Sequence, residues 1–120
     1  MELIKIINAR CVLETFAEKE DIGVKLSYWM TKFIAKTDSE YKFYIAEMRK
    51  IYEKYSENDE EGRIIIPAEK VEEFNNAVVE IENTEVESPE IKFNLSDLAS
   101  ELKLSMKQMY SLLDFIDEEK

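Results

Sequence analysis

The chain has no histidine and one cysteine, Cys11, among its 120 residues. Histidine is the most frequent general base and a frequent metal ligand, and without it Cys11 has no basic partner to generate a thiolate nucleophile. A single cysteine closes no intrachain disulfide, which agrees with a reducing compartment. Gly23 and Gly62 are the only glycines and Pro67 and Pro89 the only prolines. That scarcity excludes a glycine-rich phosphate loop and a turn-rich β fold, and it points to helices. No apolar run approaches the roughly 18–20 residues that span a bilayer. The opening Met1-Glu2-Leu3-Ile4-Lys5 lacks the basic-then-apolar order of a secretion signal. Together these absences predict a soluble, cytoplasmic protein that is not an enzyme, holds no metal or cofactor and does not enter membranes.

Positive charge is also scarce, with 16 Lys and Arg against 27 Asp and Glu and a net charge of −11. The imbalance is local. Residues 57–90 hold twelve acids against Arg63 and Lys70, whereas residues 1–56 sum to +1 and residues 91–120 to −2. An acidic middle third repels nucleic acid and anionic lipid, so an electrostatic partner should be basic. The same charge also has a plainer use as a solvated face that keeps the chain in solution.

What the chain does contain is helical periodicity at a length suited to one domain. Leu3-Ile4-Lys5-Ile6-Ile7 is short and apolar and reads as a strand, with Asn8 as the cap of a helix over residues 9–19. From Val24 to Glu57 the pattern is more regular. Met30, Phe33, Thr37, Tyr41, Tyr44, Met48, Ile51 and Tyr55 are separated by 3, 4, 4, 3, 4, 3 and 4 residues, the alternation of a helix lying along another helix. One continuous helix here would extend roughly 50 Å, against a radius of gyration of about 13–14 Å for a compact domain of this size. Part of it must project or pair with another chain. Thr37-Asp38-Ser39-Glu40 has the form of a capping box and marks a kink site, but the heptad phase passes through Thr37 unbroken, which favours continuity.

Asn58-Asp59-Glu60-Glu61-Gly62 reads as a turn, Arg63-Ile64-Ile65-Ile66 as a short strand, and residues 67–82 as a second helix folding back antiparallel on Tyr41–Tyr55. Residues 83–94 form an acidic connector in which Ile91-Lys92-Phe93 is a strand candidate beside Ile64–Ile66 or Leu3–Ile7. Two short helices follow, over 96–103 and 106–118. The expected architecture is mainly α with a minor short-stranded sheet, in one domain. Residues 1–23 supply a strand and a short helix, 24–82 a helical hairpin with an acidic turn, and 83–120 a connector and a C-terminal helix pair.

Two motifs invite sharper readings. Glu57, Asp59 and Glu61 occupy loop positions 1, 3 and 5 of an EF-hand pattern, with Gly62 at 6. Ala68 stands where the bidentate acid belongs, so an acidic turn without metal is the better reading. Leu98, Ala99, Leu102, Leu104, Ser105, Met109 and Leu112 match the apolar skeleton of a helix-turn-helix, with Ser105 and Gln108 as a capping box. The second helix of that pair ends in Asp114, Asp117, Glu118 and Glu119, which argues against direct nucleic-acid binding.

Four stretches resemble a family of small phage and prophage proteins of unknown function from low-GC Gram-positive bacteria. They are Val24-Lys25-Leu26-Ser27-Tyr28-Trp29, Lys54-Tyr55-Ser56-Glu57-Asn58-Asp59-Glu60-Glu61-Gly62, Glu69-Lys70-Val71-Glu72-Glu73-Phe74-Asn75 and Leu112-Leu113-Asp114-Phe115-Ile116. The resemblance implies no reaction and no defined site residues. It implies a phage context within a bacterial host cell, where small acidic proteins serve as assembly factors or inhibitors of host defence.

The expected function is protein–protein interaction, as an adaptor, assembly factor or inhibitor of a host protein, with homo-oligomerisation as one form of it. Two alternatives are an acidic nucleic-acid mimic that blocks a basic defence nuclease, and a helix-turn-helix regulator. The candidate partner-binding residues are Tyr28, Trp29 and Phe33 on the long helix and Glu69, Glu72, Glu73 and Glu80 on the hairpin.

Overall fold

The computed structural model describes residues 1–117, and the architecture is mainly α with two minimal β pairs. The helices are α1 (Leu3–Glu14), α2 (Val24–Lys36), α3 (Asp38–Tyr55), α4 (Val71–Glu82), α5 (Leu95–Glu101) and α6 (Met106–Leu112). Strands β1 (Glu57–Asn58) and β2 (Ile64–Ile65) pair antiparallel, and β3 (Phe93–Asn94) and β4 (Ile116–Asp117) pair parallel.

The expected strand at Leu3–Ile7 is instead the first half of α1, and Asn8 lies inside that helix rather than capping it. The reason lies in packing. Helix α1 sits between two apolar cores, with Ile6, Ala9, Val12 and Leu13 in one and Leu3 and Ile7 in the other. Buried on two sides, it shows no single stripe, and a short run of apolar residues on a two-sided helix looks like a buried strand. The helix also stops early, at Glu14, where the Thr15 hydroxyl donates to the Val12 carbonyl at 2.6 Å. Its start is tied to the end of the helical hairpin. Leu3 N–H donates to Thr84 O and Val86 N–H to Met1 O, both at 2.8 Å.

The stretch from Val24 to Tyr55 is two helices, not one, and they meet at Thr37 (φ −102°, ψ 9°). Thr37 is not the first residue of a capping box. Its hydroxyl donates to Phe33 O at 2.8 Å, so it closes α2 from within and does not cap α3. The turn hydrogen bonds run across the junction, from Thr37 N–H to Phe33 O and from Tyr41 N–H to Thr37 O. This is a kink that preserves phase, which is why the heptad spacing gives no sign of it.

Arg10 of α1 reaches the junction of α2 and α3. Nη1 donates to Ile34 O at 2.8 Å and to Thr37 Oγ1 at 3.3 Å, and the guanidinium lies 4.4 Å from the centre of the Tyr41 ring. Asp38, opening α3, is 3.6 Å from Nη2, and Glu14 is 3.6 Å from Nε, which has no hydrogen-bond partner among the described residues. Lys42, hydrogen-bonded to Asp38, is the main cause of that carboxyl being held below the ordinary Asp range.

Beyond the kink, α3 and α4 form the expected antiparallel hairpin. Tyr52 and Tyr55 pack edge-on against Phe74 near the turn, and Ile51 and Ile81 meet Leu3 and Ile7 of α1 further in. A 3₁₀ turn, Ala68–Lys70, precedes α4. At the tip, Asp59 Oδ1 accepts the backbone N–H groups of Glu61 and Arg63, Oδ2 pairs with Arg63 Nε at 2.9 Å, and Gly62 takes φ 81°. The Arg63 N–H is the leading cause of the lowered Asp59 pKa. The carboxylate's help to the turn is therefore present above the ordinary Asp pKa and is lost as pH falls through the lowered one.

The C-terminal segment closes the first core. Strand β3 pairs with β4, not with Ile64–Ile66 or α1, and Phe93, Leu98, Leu102, Leu112, Phe115 and Ile116 are all buried there. The helix expected over 106–118 ends at Leu112, passes through a 3₁₀ turn at Leu113–Phe115 and becomes β4. Residue 118, the last of that expected helix, and residues 119–120 lie outside the described residues. Ser105 and Gln108 form the reciprocal capping box read from sequence, with Ser105 Oγ accepting from Gln108 N–H and Gln108 Oε1 from Ser105 N–H. Ser105→Ala is expected to cost about 1 kcal/mol. Urea melts should show that loss, and an unchanged midpoint would mean that packing of α6 on α1 suffices.

Candidate protein-interaction surfaces

The molecule is elongated, with principal extents of 53 × 31 × 24 Å and a radius of gyration of 17.3 Å. The α3–α4 hairpin and its β tip form an arm, and α1, α2, α5 and α6 form the head around the first core. The arm contains most of the acidic middle third. Two surfaces follow from this layout.

The first is the arm itself. Glu72, Glu73 and Glu80 are exposed on α4, and Glu69 is exposed in the 3₁₀ turn before it. Their positions follow from the helix period, because Phe74, Val78 and Ile81 turn inward to cover α3. Among the acids lie apolar side chains in contact with solvent. Ile64 is 73% exposed at the tip, and Val79 is 50% exposed on α4. Near the tip, Glu57 is paired with Lys70 at 2.7 Å and Glu61 with Arg63 at 3.2 Å. Glu72 and Glu80 have no ion pair or side-chain hydrogen bond among the described residues. The Asp59 carboxylate is already engaged by Arg63 and two backbone N–H groups. Among the described residues no group of three or more His, Cys, Asp or Glu side chains is placed to hold a metal ion.

The second surface is the outer face of α2. Tyr28 and Trp29 are 55% and 41% exposed and meet edge to face with ring centres 5.2 Å apart. Phe33, expected alongside them, is fully buried, 4.9 Å from the Phe115 ring and 6.0 Å from that of Phe93. It belongs to the core and takes no part in a surface. Heptad spacing placed it in a stripe without showing which side of the stripe the C-terminal segment would cover.

Sequence reasoning passed over Lys25 and Lys32, which flank Tyr28 and Trp29 on the exposed face of α2, and the exposed Ile64 at the arm tip. The first had a legible signal, because α2 contains three lysines and no acid. The second had none, since a β-branched run reads as buried.

Other features are weaker. Cys11 is exposed, and its thiol pKa is raised, first by partial burial and then by Glu14, which lowers its reactivity. An open groove between α1 and α2 is lined by Leu13, Phe16, Ile22, Met30 and Ile34. Among the described residues no helix is long and apolar enough to cross a membrane. No protein-family model, curated protein or solved structure matches the chain.

Proposed function

We propose that this is a non-enzymatic interaction protein, of phage origin and acting in the cytoplasm of a bacterial host, which presents its acidic arm to a basic protein partner as an adaptor, assembly factor or inhibitor. The observation that carries this reading is the arm, which extends a small protein to 53 Å and holds exposed Ile64 and Val79 among its carboxylates, of which Glu72 and Glu80 have no side-chain partner among the described residues. A solubilising face needs charge alone, whereas apolar residues ringed by charge supply the desolvated centre and polar rim of a binding surface. The resemblance to small phage proteins supports the context.

Glu72 and Glu80, without side-chain partners among the described residues, also favour a second reading, a nucleic-acid mimic in the basic groove of a defence nuclease. The two readings part on which residues matter. A photo-crosslinking side chain placed at Ile64 and expressed in a Gram-positive host should trap a basic protein, and Ile64→Ser should weaken capture by roughly tenfold. Combined reversal of Glu69, Glu72, Glu73 and Glu80 to Lys should abolish it. If reversal abolishes capture while Ile64→Ser leaves it intact, the mimic is favoured. Capture that survives both changes defeats both readings.

A further inference from the structure

Helix α2 is the most cationic of the helices among the described residues of this anionic protein, with Lys25, Lys32 and Lys36 and no acid in a chain of net charge −11. Its buried residues are Leu26, Met30 and Phe33. At 3.6 residues per turn this turns Lys25, Tyr28 and Lys32 away from the core and puts the 41% exposed Trp29 at the margin of the buried stripe, with a lysine at each end of the aromatic pair. Lys36 is turned away, donating to Pro89 O at 3.1 Å. Lys25 has a 3.5 Å contact with Asp97, and Lys32 has no partner among the described residues. Exposed aromatics next to lysines that lack strong intramolecular partners form a surface prepared for an anionic occupant with some apolar character.

The outer face of α4 has that chemistry. Glu73 and Glu80 are separated by the same seven residues as Lys25 and Lys32, which places each pair about 10.5 Å apart along its helix. Glu72 flanks the pair, and half-exposed Val79 offers an apolar contact. Within one chain these two faces point outward from elements that each pack on α1 and α3. They are available to each other only between molecules.

We propose that the Lys25–Tyr28–Trp29–Lys32 face of α2 docks on the Glu72–Glu73–Val79–Glu80 face of α4 in a second copy of this chain. The contact joins different patches, so it closes a two-fold dimer when two copies engage reciprocally, and otherwise builds a ring or an open chain. A nucleic acid is the poorer occupant. α2 offers few cations, and a phosphate backbone lying along it would meet the field of the whole acidic protein. This inference goes beyond the reading of the arm as a surface for a host protein.

Light scattering across a wide concentration range tests it directly, with Trp29, the only tryptophan, as a built-in reporter. At low salt the mass should rise above one chain with concentration, and Trp29 emission should shift to the blue. High salt should reverse both changes. Lys25→Glu/Lys32→Glu and Glu73→Lys/Glu80→Lys should each weaken self-association by roughly tenfold or more. Mixed together, the two variants should form a complex, because the reversed α2 of one complements the reversed α4 of the other. Thermal melts establish that each variant is folded.

A wild-type chain that stays single at every concentration overturns the proposal. So does a folded Lys25→Glu/Lys32→Glu chain that still assembles, or a mixture that fails to associate. A labelled single-stranded oligonucleotide that binds the wild type and is released by Lys25→Glu/Lys32→Glu would assign the face to nucleic acid and likewise overturn it. Lys25→Glu/Lys32→Glu leaves the arm intact, so host-protein capture by this variant separates failure of the self-contact from failure of the arm reading.

Discussion

Phe33→Ala is expected to destabilise the protein by about 3–5 kcal/mol, lowering Tm by roughly 10–20 °C. Phe33 is fully buried, and its ring meets Phe93 of β3 and Phe115 of the 3₁₀ turn after α6. These two contacts join α2 to the C-terminal segment, and among the described residues no other aromatic pair links the two. Truncation opens a cavity between three elements that different parts of the chain supply, so none can collapse into it without moving the β3–β4 pairing. Phe33→Leu retains most of the volume and should cost about 1–1.5 kcal/mol. Chemical denaturation followed by circular dichroism measures both changes. A loss below about 1 kcal/mol for Phe33→Ala would return this residue to the surface role that its heptad position suggests.

Arg10→Ala is expected to cost about 2–4 kcal/mol, of which its two charge-assisted hydrogen bonds, to Ile34 O and Thr37 Oγ1, supply the larger part. The contacts with Glu14 and Asp38 add little, because both carboxylates are about half exposed and 3.6 Å away. Loss of the guanidinium also removes the shorter of two side-chain donors to the Ile34 carbonyl, leaving the Thr37 hydroxyl at 3.4 Å, and removes the stem that packs at the junction. Arg10→Lys should recover less than half of the loss, since an ammonium cannot reach Ile34 O and Thr37 while stacking on Tyr41. Arg10→Met restores bulk alone, and it separates packing from hydrogen bonding. The same variants should widen the distribution of arm angles. Small-angle scattering would register this as a changed maximum dimension at temperatures where the protein is still folded. An Arg10→Met chain with wild-type stability and wild-type scattering would show that Arg10 does not hold the kink.

The arm was more legible than the head. Tyr44, Met48, Ile51 and Tyr55 pack against Phe74, Val78 and Ile81 as their 3 and 4 spacings require, because each helix there buries a single apolar stripe, shared between its hairpin partner and α1. The Asp59–Gly62 turn and the Ser105–Gln108 cap also follow from local chemistry, where a side chain satisfies a backbone group two to four residues away. Helix α1 was not legible, and the kink, although Thr37-Asp38-Ser39-Glu40 marked its site, was outweighed by the unbroken heptad phase, for a shared reason. Residues distant in sequence meet there. Arg10 reaches Ile34 and Thr37, and Leu3 and Ile6 enter different cores. For the candidate surfaces, the acids of α4 and the pair Tyr28–Trp29 are exposed as the sequence pattern suggests, whereas Phe33 is buried, and the exposure of Lys25, Lys32 and Ile64 is not anticipated by it.

By itself, then, the sequence determined the helical class, the antiparallel hairpin, the location of the negative charge and the caps and turns, because each depends on periodicity or on interactions within a few residues. Tertiary structure decided that the central helix bends at Thr37, that α1 is a helix between two cores, that β3 finds β4, and that Phe33 is buried while Tyr28 and Trp29 are not. Those outcomes turn on which apolar face another segment covers and on where a buried guanidinium finds its carbonyl. One-dimensional spacing carries neither.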